Sequence, residues 1–320
     1  MDRPKQKVSR TFTEFAGALH YLNADRAAKK RGPDERAELK RRVAALYDLA
    51  AGWKNVLAWN WGYDSEDLHR EIAARIPDYD ADQSDGLSEQ LYYFTLRQIP
   101  GSAAPGGRIL EVGCGSGFGL NFLSRLHPDV GFVGLDISRL AVDSANRRLS
   151  RPGRLDYVHG DAESLPFGDA SFDGVICVES AHNYPAFDQF LGEVRRVLKP
   201  GGAFSLVDLY TKQRLAMADP VLRDPPGMRL RAQTDVTEAV RRAVTARMQP
   251  GSRFRGLARR AFPFPLGPLN ERVQMLSYGA EFAAVEKDFL LRLVKRLTAG
   301  KNAKRLVFES YRHHHLQKDA

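Results

Sequence analysis

The run Ile109-Leu-Glu-Val-Gly-Cys-Gly-Ser-Gly sets glycines at 113, 115 and 117 directly after an apolar stretch. Glycine allows a sharp turn and brings main-chain N–H groups against a ligand with no side chain between. A dinucleotide loop would need G-x-G-x-x-G, but its last position here is Phe118, and glycine falls one residue early. About twenty residues further on, Gly134-Leu-Asp136 ends a second apolar stretch. A carboxylate at that distance and at a strand end can accept both hydroxyls of a ribose. The alternative for Asp136, with Ser138, is a cap on the helix that starts at Arg139, and the two readings are compatible. Further along stand His182, in Val178-Glu-Ser-Ala-His-Asn-Tyr-Pro185, and Asp208. A histidine of ordinary pKa can take a proton at neutral pH, and an acid beside it can orient the ring. The alternatives are a backbone bond for His182 and a capping role for Asp208.

These residues need a frame that brings strand ends together. From Arg108 onward, strands are expected near 108–112, 131–135, 155–159, 173–178 and 203–208, with helices near 117–127, 138–150 and 186–198. That alternation predicts an α/β fold: a doubly wound, Rossmann-like parallel sheet with helices on both faces. A sixth strand is expected near 229–234, a helical insertion over 235–298, and a last strand near 305–312. Before the sheet, Pro33, Asp34 and Glu35 start a helix reaching Ala51, and further helices are expected over 65–76 and 85–99. The chain thus divides into an N-terminal helical segment (1–105), an α/β core (106–234), a helical cap on the acceptor side (235–300), and a final strand with its tail (301–320). His313, His314 and His315 are read as a solvated terminus, with a metal role as the alternative.

The composition narrows the classes. The chain has 320 residues, 43% of them hydrophobic, which suits a globular protein. No run of about 18 apolar residues predicts a membrane span, and Met1 to Arg10 lacks the apolar region of a secretory leader. The two cysteines, Cys114 and Cys177, suit a reducing cytosol, so a cytoplasmic location is expected. The net charge of +9 is spread over many short basic pairs, without a stripe of interleaved aromatics. It is read as solvated helix faces, and no nucleic-acid partner is expected. No Cys/His cluster has metal-ligand spacing, so no metal is expected. A homo-oligomer is left open.

The compact G-x-G-x-G loop after Glu111 resembles the first motif of class I S-adenosylmethionine-dependent methyltransferases. Gly160-Asp-Ala-Glu-Ser-Leu-Pro-Phe167, Val178-Glu-Ser-Ala-His-Asn-Tyr-Pro185, Phe190-Leu-Gly-Glu-Val-Arg-Arg-Val-Leu198 and Gln233-Thr-Asp-Val-Thr237 are similar to one branch. That branch is the bacterial O-methyltransferases of hydrophobic natural products, including phthiotriolone and glycolipid enzymes. The resemblance implies S-adenosyl-L-methionine as cofactor. It implies that Asp161 and the Ala162 amide hold the adenine and that Glu111 orients the amino end of the methionine moiety. The expected cofactor set is Glu111, Gly113, Cys114, Gly115, Gly117, Asp136, Ile137, Asp161, Ala162 and Glu179. Tyr63 joins it as an aromatic face for the sulfonium.

The nucleic-acid amino-methylating signature, Asn/Asp-Pro-Pro followed by an aromatic, is missing after the fourth strand, and Asp224-Pro-Pro-Gly227 lies elsewhere. A hydroxyl is a poor nucleophile until deprotonated, so His182 is the expected general base, with Asp208 assisting. The expected reaction is methyl transfer to a hydroxyl oxygen of a hydrophobic polyketide, lipid or other secondary metabolite. Carbon or nitrogen methylation is the alternative, and an RNA-directed or non-catalytic binding protein a more distant one. Phe262, Phe264, Leu266, Leu269, Met275, Leu276 and Phe282 either line an acceptor pocket or form the cap's own core.

Overall fold

The apolar runs become the central strands of a sheet. In the computed structural model, residues 32–51, 59–80, 84–101, 104–260, 266–277, 279–280, 282–283, 289–298 and 308–320 are described. Three helices come first: α1 (Pro33–Ala51), α2 (Glu66–Ala73) and α3 (Leu87–Arg97). The alternating part follows as β1 (Arg108–Val112), α4 (Phe118–Leu126), β2 (Gly131–Asp136), α5 (Arg139–Leu149), β3 (Leu155–His159) and β4 (Phe172–Val178). A single 3₁₀ turn (Ala181–Asn183) leads into α6 (Phe187–Val197), β5 (Leu198–Thr211), α7 (Lys212–Arg223) and β6 (Met228–Asp235). Then come α8 (Thr237–Met248), α9 (Arg253–Arg260), α10 (Leu266–Ser277), α11 (Phe289–Thr298) and β7 (Phe308–Lys318).

The seven strands lie in the order β3-β2-β1-β4-β5-β7-β6. The first five are parallel, and β7 runs antiparallel to both β5 and β6. Strand periodicity sorts β1 between two cores: Ile109 joins a cluster with α3 and α4, while Leu110 and Val112 join one with α6. Ile109, Leu110, Phe172 and Phe204 are wholly buried, and trimming any of them to alanine is expected to cost about 2–5 kcal/mol. The strand order reverses between β1 and β4, with β1 leading outward to β2 and β3 and β4 leading the other way to β5, and this opens a crevice at the strand ends.

Three expectations change. The last strand, expected near 305–312, is described over 308–318, so it reaches six residues further, and it enters the sheet between β5 and β6; residues 305–307 lie outside the described ones. His313 to His315 are therefore strand residues, paired with Val207, Leu206 and Ser205, not a solvated tail. His313 and His314 are buried, and burial lowers their pKa values to about 3 and about 4. Helix α7 was not expected; Thr211 caps it by accepting from the Arg214 amide at 3.1 Å. Among the described residues no helix is long and apolar enough to cross a membrane, and no group of residues has metal-ligand placement.

Candidate active site

The glycine loop, the end of β2 and the end of β4 converge on one cavity. Its wall includes Gly113, Cys114, Gly115, Asp136, Ile137, Asp161, Ala162 and Glu179. At Gly113 φ is +82°, and a β-carbon there would lie 1.8 Å from Ser180 Oγ, so only glycine fits. Gly117 has a different role from the one expected. It does not line the cavity; a β-carbon on it would strike the Tyr157 ring at 2.5 Å, and Tyr157 donates to its carbonyl at 2.8 Å. It starts α4 in the left-handed conformation and packs the loop onto β3.

Asp136 ties the loop to the next helix. Its carboxylate accepts from the Gly115 amide and the Ser138 amide, each at 2.8 Å. Ser138 itself caps α5 through the Ala141 amide. Each Asp136 oxygen accepts one of these bonds and keeps acceptor capacity for a ligand hydroxyl. Burial raises its pKa.

Glu111 is wholly buried, and neither carboxylate oxygen has a partner. The Tyr92 hydroxyl lies beside it without closing a well-formed bond, and burial pushes the carboxyl up to about 8. It stands behind the cavity wall, of which Tyr92 forms part. An orphaned buried carboxyl is costly unless a donor or cation reaches it. The ammonium end of S-adenosylmethionine has that chemistry, and the ribose suits Asp136, so the residues present fit the expected cofactor.

Glu179 has φ of +48°, a strained value for a non-glycine residue. It accepts from the Trp61 amide at 2.5 Å and from the Tyr311 hydroxyl, and burial raises its pKa to about 8. After it the 3₁₀ turn presents His182. The imidazole Nδ1 lies 2.8 Å from Asp208 Oδ1, and the His182 amide donates to Asp208 Oδ2 at 2.8 Å. The Leu209 amide gives Asp208 a third donor, and Arg214 holds the carbonyls of His182 and Ala181 at 2.6 and 2.7 Å. With Nδ1–H directed at Asp208, Nε2 is the free acceptor. His182 is partly exposed and is not in the cavity wall, whereas Ser180, Asn183, Tyr184 and Pro185 are.

Tyr63 is a correction. Its ring stacks on Phe94 with centroids 4.7 Å apart, at a shallow groove away from the glycine loop. Trp61 packs against Phe282, Phe308 and Tyr311. The aromatic walls of the cavity are instead Tyr47, Trp59, Tyr92, Phe118 and Tyr184. Of the adjacent tyrosines Tyr92 and Tyr93, only Tyr92 lines the cavity; Tyr93 donates to Glu71. Met275, Leu276 and Phe282 pack into the large cluster on the sheet that also holds Ile109, Leu120 and Tyr92, and do not line this cavity. Phe262, Phe264 and the side chain of Leu266 lie outside the described residues.

Helix α1 supplies what the sequence did not reveal. Lys40, Val43, Tyr47 and Ala51 recur at one-turn intervals and face the cavity. Lys40 pairs with Asp161 at 2.6 Å and with Glu163. Tyr47 accepts from Asn183 at 3.0 Å, and Asp48 accepts from the Ser138 hydroxyl at 2.6 Å. The helix thus lies across the crevice, bonded to loops after β2, β3 and β4.

A family model described as a methyltransferase domain matches residues 110–206. A phthiotriol/phenolphthiotriol dimycocerosates methyltransferase of Mycobacterium ulcerans is 39% identical over 203 residues, covering 62% of this chain and 70% of that protein. A fatty-acid O-methyltransferase of Mycolicibacterium smegmatis is 37% identical over 187 residues, covering 58% of this chain and 65% of its own length, just under two thirds. In fold, the chain is similar to the [4+2]-cyclase SpnF, with a TM-score of 0.57, 20% identity, and coverage of 88% of this chain and 96% of the cyclase. It is also similar to a geranyl diphosphate methyltransferase solved with sinefungin, with a TM-score of 0.54, 15% identity, and coverage of 87% and 98%. Together with the glycine loop, the methyltransferase-domain match and the 39% identical relative show that the chain belongs to the class I S-adenosylmethionine-dependent methyltransferases, and the solved structures share its fold.

Proposed function

We propose that this enzyme methylates a hydroxyl oxygen of a lipid-like acceptor, with His182 as general base and Asp208 as the residue that orients it. The observation that carries the reading is the hydrogen-bonded pair itself: a partly exposed imidazole whose Nδ1 and main-chain amide are both held by one buried carboxylate. Names of relatives that act on fatty acids and on phthiotriol dimycocerosates support the acceptor class.

S-adenosylmethionine, when bound, supplies a methyl group on a positively charged sulfur. Asp136 would hold its ribose, Asp161 and Ala162 its adenine, and Glu111 its amino end, with the main chain of Gly113 to Gly115 close against it. Glu179 braces the wall between donor and acceptor sides through Trp61 and Tyr311. His182 Nε2 takes the proton from the acceptor hydroxyl as the oxygen becomes a nucleophile. Asp208 fixes the tautomer and stabilises the imidazolium that forms. Helix α1 covers the crevice and excludes water.

The test separates two kinds of oxygen. A fatty acid is already a carboxylate at neutral pH and needs no base, whereas an alcohol does. With a long-chain hydroxylated acceptor, His182→Ala should lower turnover by about a hundredfold or more. Equal turnover by the variant and the wild type would remove His182 from the chemistry and move the reading to a carboxylate acceptor.

A further inference from the structure

We propose that the exposed face of α11 docks this enzyme on an anionic phospholipid bilayer. Four large hydrophobic side chains stand exposed among the described residues: Leu140, Met217, Phe289 and Leu293. Two of the four lie on α11, and Phe289, at 78% exposure, is the most exposed. Phe289 and Leu293 are four residues apart, so they share one helix face, and exposed Arg292 lies between them. The opposite side is committed to the fold. Leu291 is buried in the hydrophobic cluster that also holds Trp61 and Tyr92. The helix is therefore anchored inward on the core behind the active site and presents a mixed apolar and cationic stripe outward.

Charge selects the occupant. Residues 253–298 contain nine arginine and lysine residues against four acidic ones, an excess of five within a chain whose net charge is +9. On α11 itself, Arg292, Lys295 and Arg296 occur with no acidic residue. A basic amphipathic helix with an aromatic on its apolar side lies in the plane of a bilayer surface, its apolar residues among the acyl chains and its cations among the headgroups. Each cation close to an anionic surface strengthens such binding about fivefold. A second copy of this chain would bring the same positive excess against itself. A nucleic acid would use the cations but leave Phe289 and Leu293 without apolar contact. The bilayer satisfies both halves of the stripe, and it is also the phase from which an acceptor with long apolar tails would come. The docking stands independently of which atom is methylated.

The full-length protein should float with vesicles containing phosphatidylglycerol and remain behind with vesicles of pure phosphatidylcholine. The bound fraction should fall in about 1 M salt, where the screening length shrinks to about 3 Å. The double variant Phe289→Ser, Leu293→Ser should bind the anionic vesicles about tenfold or more weakly. Its S-adenosylhomocysteine affinity should be unchanged, which reports an intact fold. Absence of retention on the anionic vesicles overturns the proposal, and so does equal retention of the folded double variant. A concentration-dependent dimer that the double variant abolishes would assign the face to a second copy and would also overturn it.

Discussion

The ends of β1, β2 and β4 and the middle of β7 both bury polar side chains, but to different ends. At the strand ends the polar atoms are either bonded in a way that leaves a ligand-facing lone pair, as in Asp136, or left open, as in Glu111. His182 has an acid on one nitrogen and an open face on the other. In β7, His313 spends Nε2 on Ser205, and His314 has no partner on either nitrogen. Both regions carry histidines, one on the 3₁₀ turn after β4 and the others inside β7, and under the proposed function only the first is placed for proton transfer. The lesson is that the orienting partner and the exposed face, not the residue type, make a histidine a base.

The largest test of that contrast is His182→Ala set against His314→Phe. The first should abolish most turnover, about a hundredfold or more, while S-adenosylhomocysteine affinity stays within about twofold of wild type. The second should leave turnover near wild type. Calorimetric titration with steady-state rates on both variants measures this, and a catalytic loss in His314→Phe matching that in His182→Ala would erase the contrast.

Within the donor half, Asp136→Ala should weaken S-adenosylhomocysteine binding about tenfold or more, because two charge-assisted bonds to ligand hydroxyls are lost. Glu111 sharpens the same point. Its carboxyl sits near 8 before a ligand arrives, so it is largely protonated at neutral pH. An approaching ammonium favours the ionised form, so binding should release up to about one proton. The observed binding enthalpy would then vary with the ionisation enthalpy of the buffer, and the dependence should vanish in Glu111→Gln. A smaller effect separates the aromatics. Tyr47→Leu should weaken binding a few-fold, about one lost contact, and Tyr63→Leu should leave it unchanged.

The smallest effect falls on β7. The folded chain keeps His314 neutral down to about pH 4, whereas the unfolded chain protonates it below its ordinary value of 6.5. The unfolded state therefore binds more protons across that window, and stability falls as pH falls from 6.5 toward 4. By about pH 5.5 this histidine should contribute a loss of about 1 kcal/mol. The slope of stability against pH should be shallower in His314→Phe than in wild type, as read by urea unfolding at several pH values. Parallel slopes would mean that His314 is not held neutral.

What was legible in the sequence was local. The glycine loop, Asp136 and the β-α alternation depend on residues within about one supersecondary unit, and their spacing carries the geometry. Helix α1 was visible as a helix but not as a wall. Its partners lie 90 to 136 residues away in the chain, and its apolar positions gave no sign that Lys40 and Tyr47 share the cavity-facing side. The aromatic stretch up to Tyr63 could not be apportioned either: Trp59 reaches the cavity, while Tyr63, four residues further along the chain, stacks outside it. Three histidines in a row break the alternation that marks a strand, and their burial depends on β5 and β6 flanking them, which periodicity does not encode.

The place of β7 also dictates an order of assembly. β6 touches the sheet only through β7, which follows it in the chain after more than seventy residues. During synthesis, β5 and β6 must wait with unpaired edges until residues 308–318 emerge from the ribosome, and such edges invite pairing with other chains. Chains halted before residue 308 should be cut by protease near β6, while the segment from β1 to β4 is already protected. The strand over 308–318 thus works as a keystone: it joins β6 to the sheet and brings in Tyr311, whose hydroxyl holds Glu179 in the cavity wall.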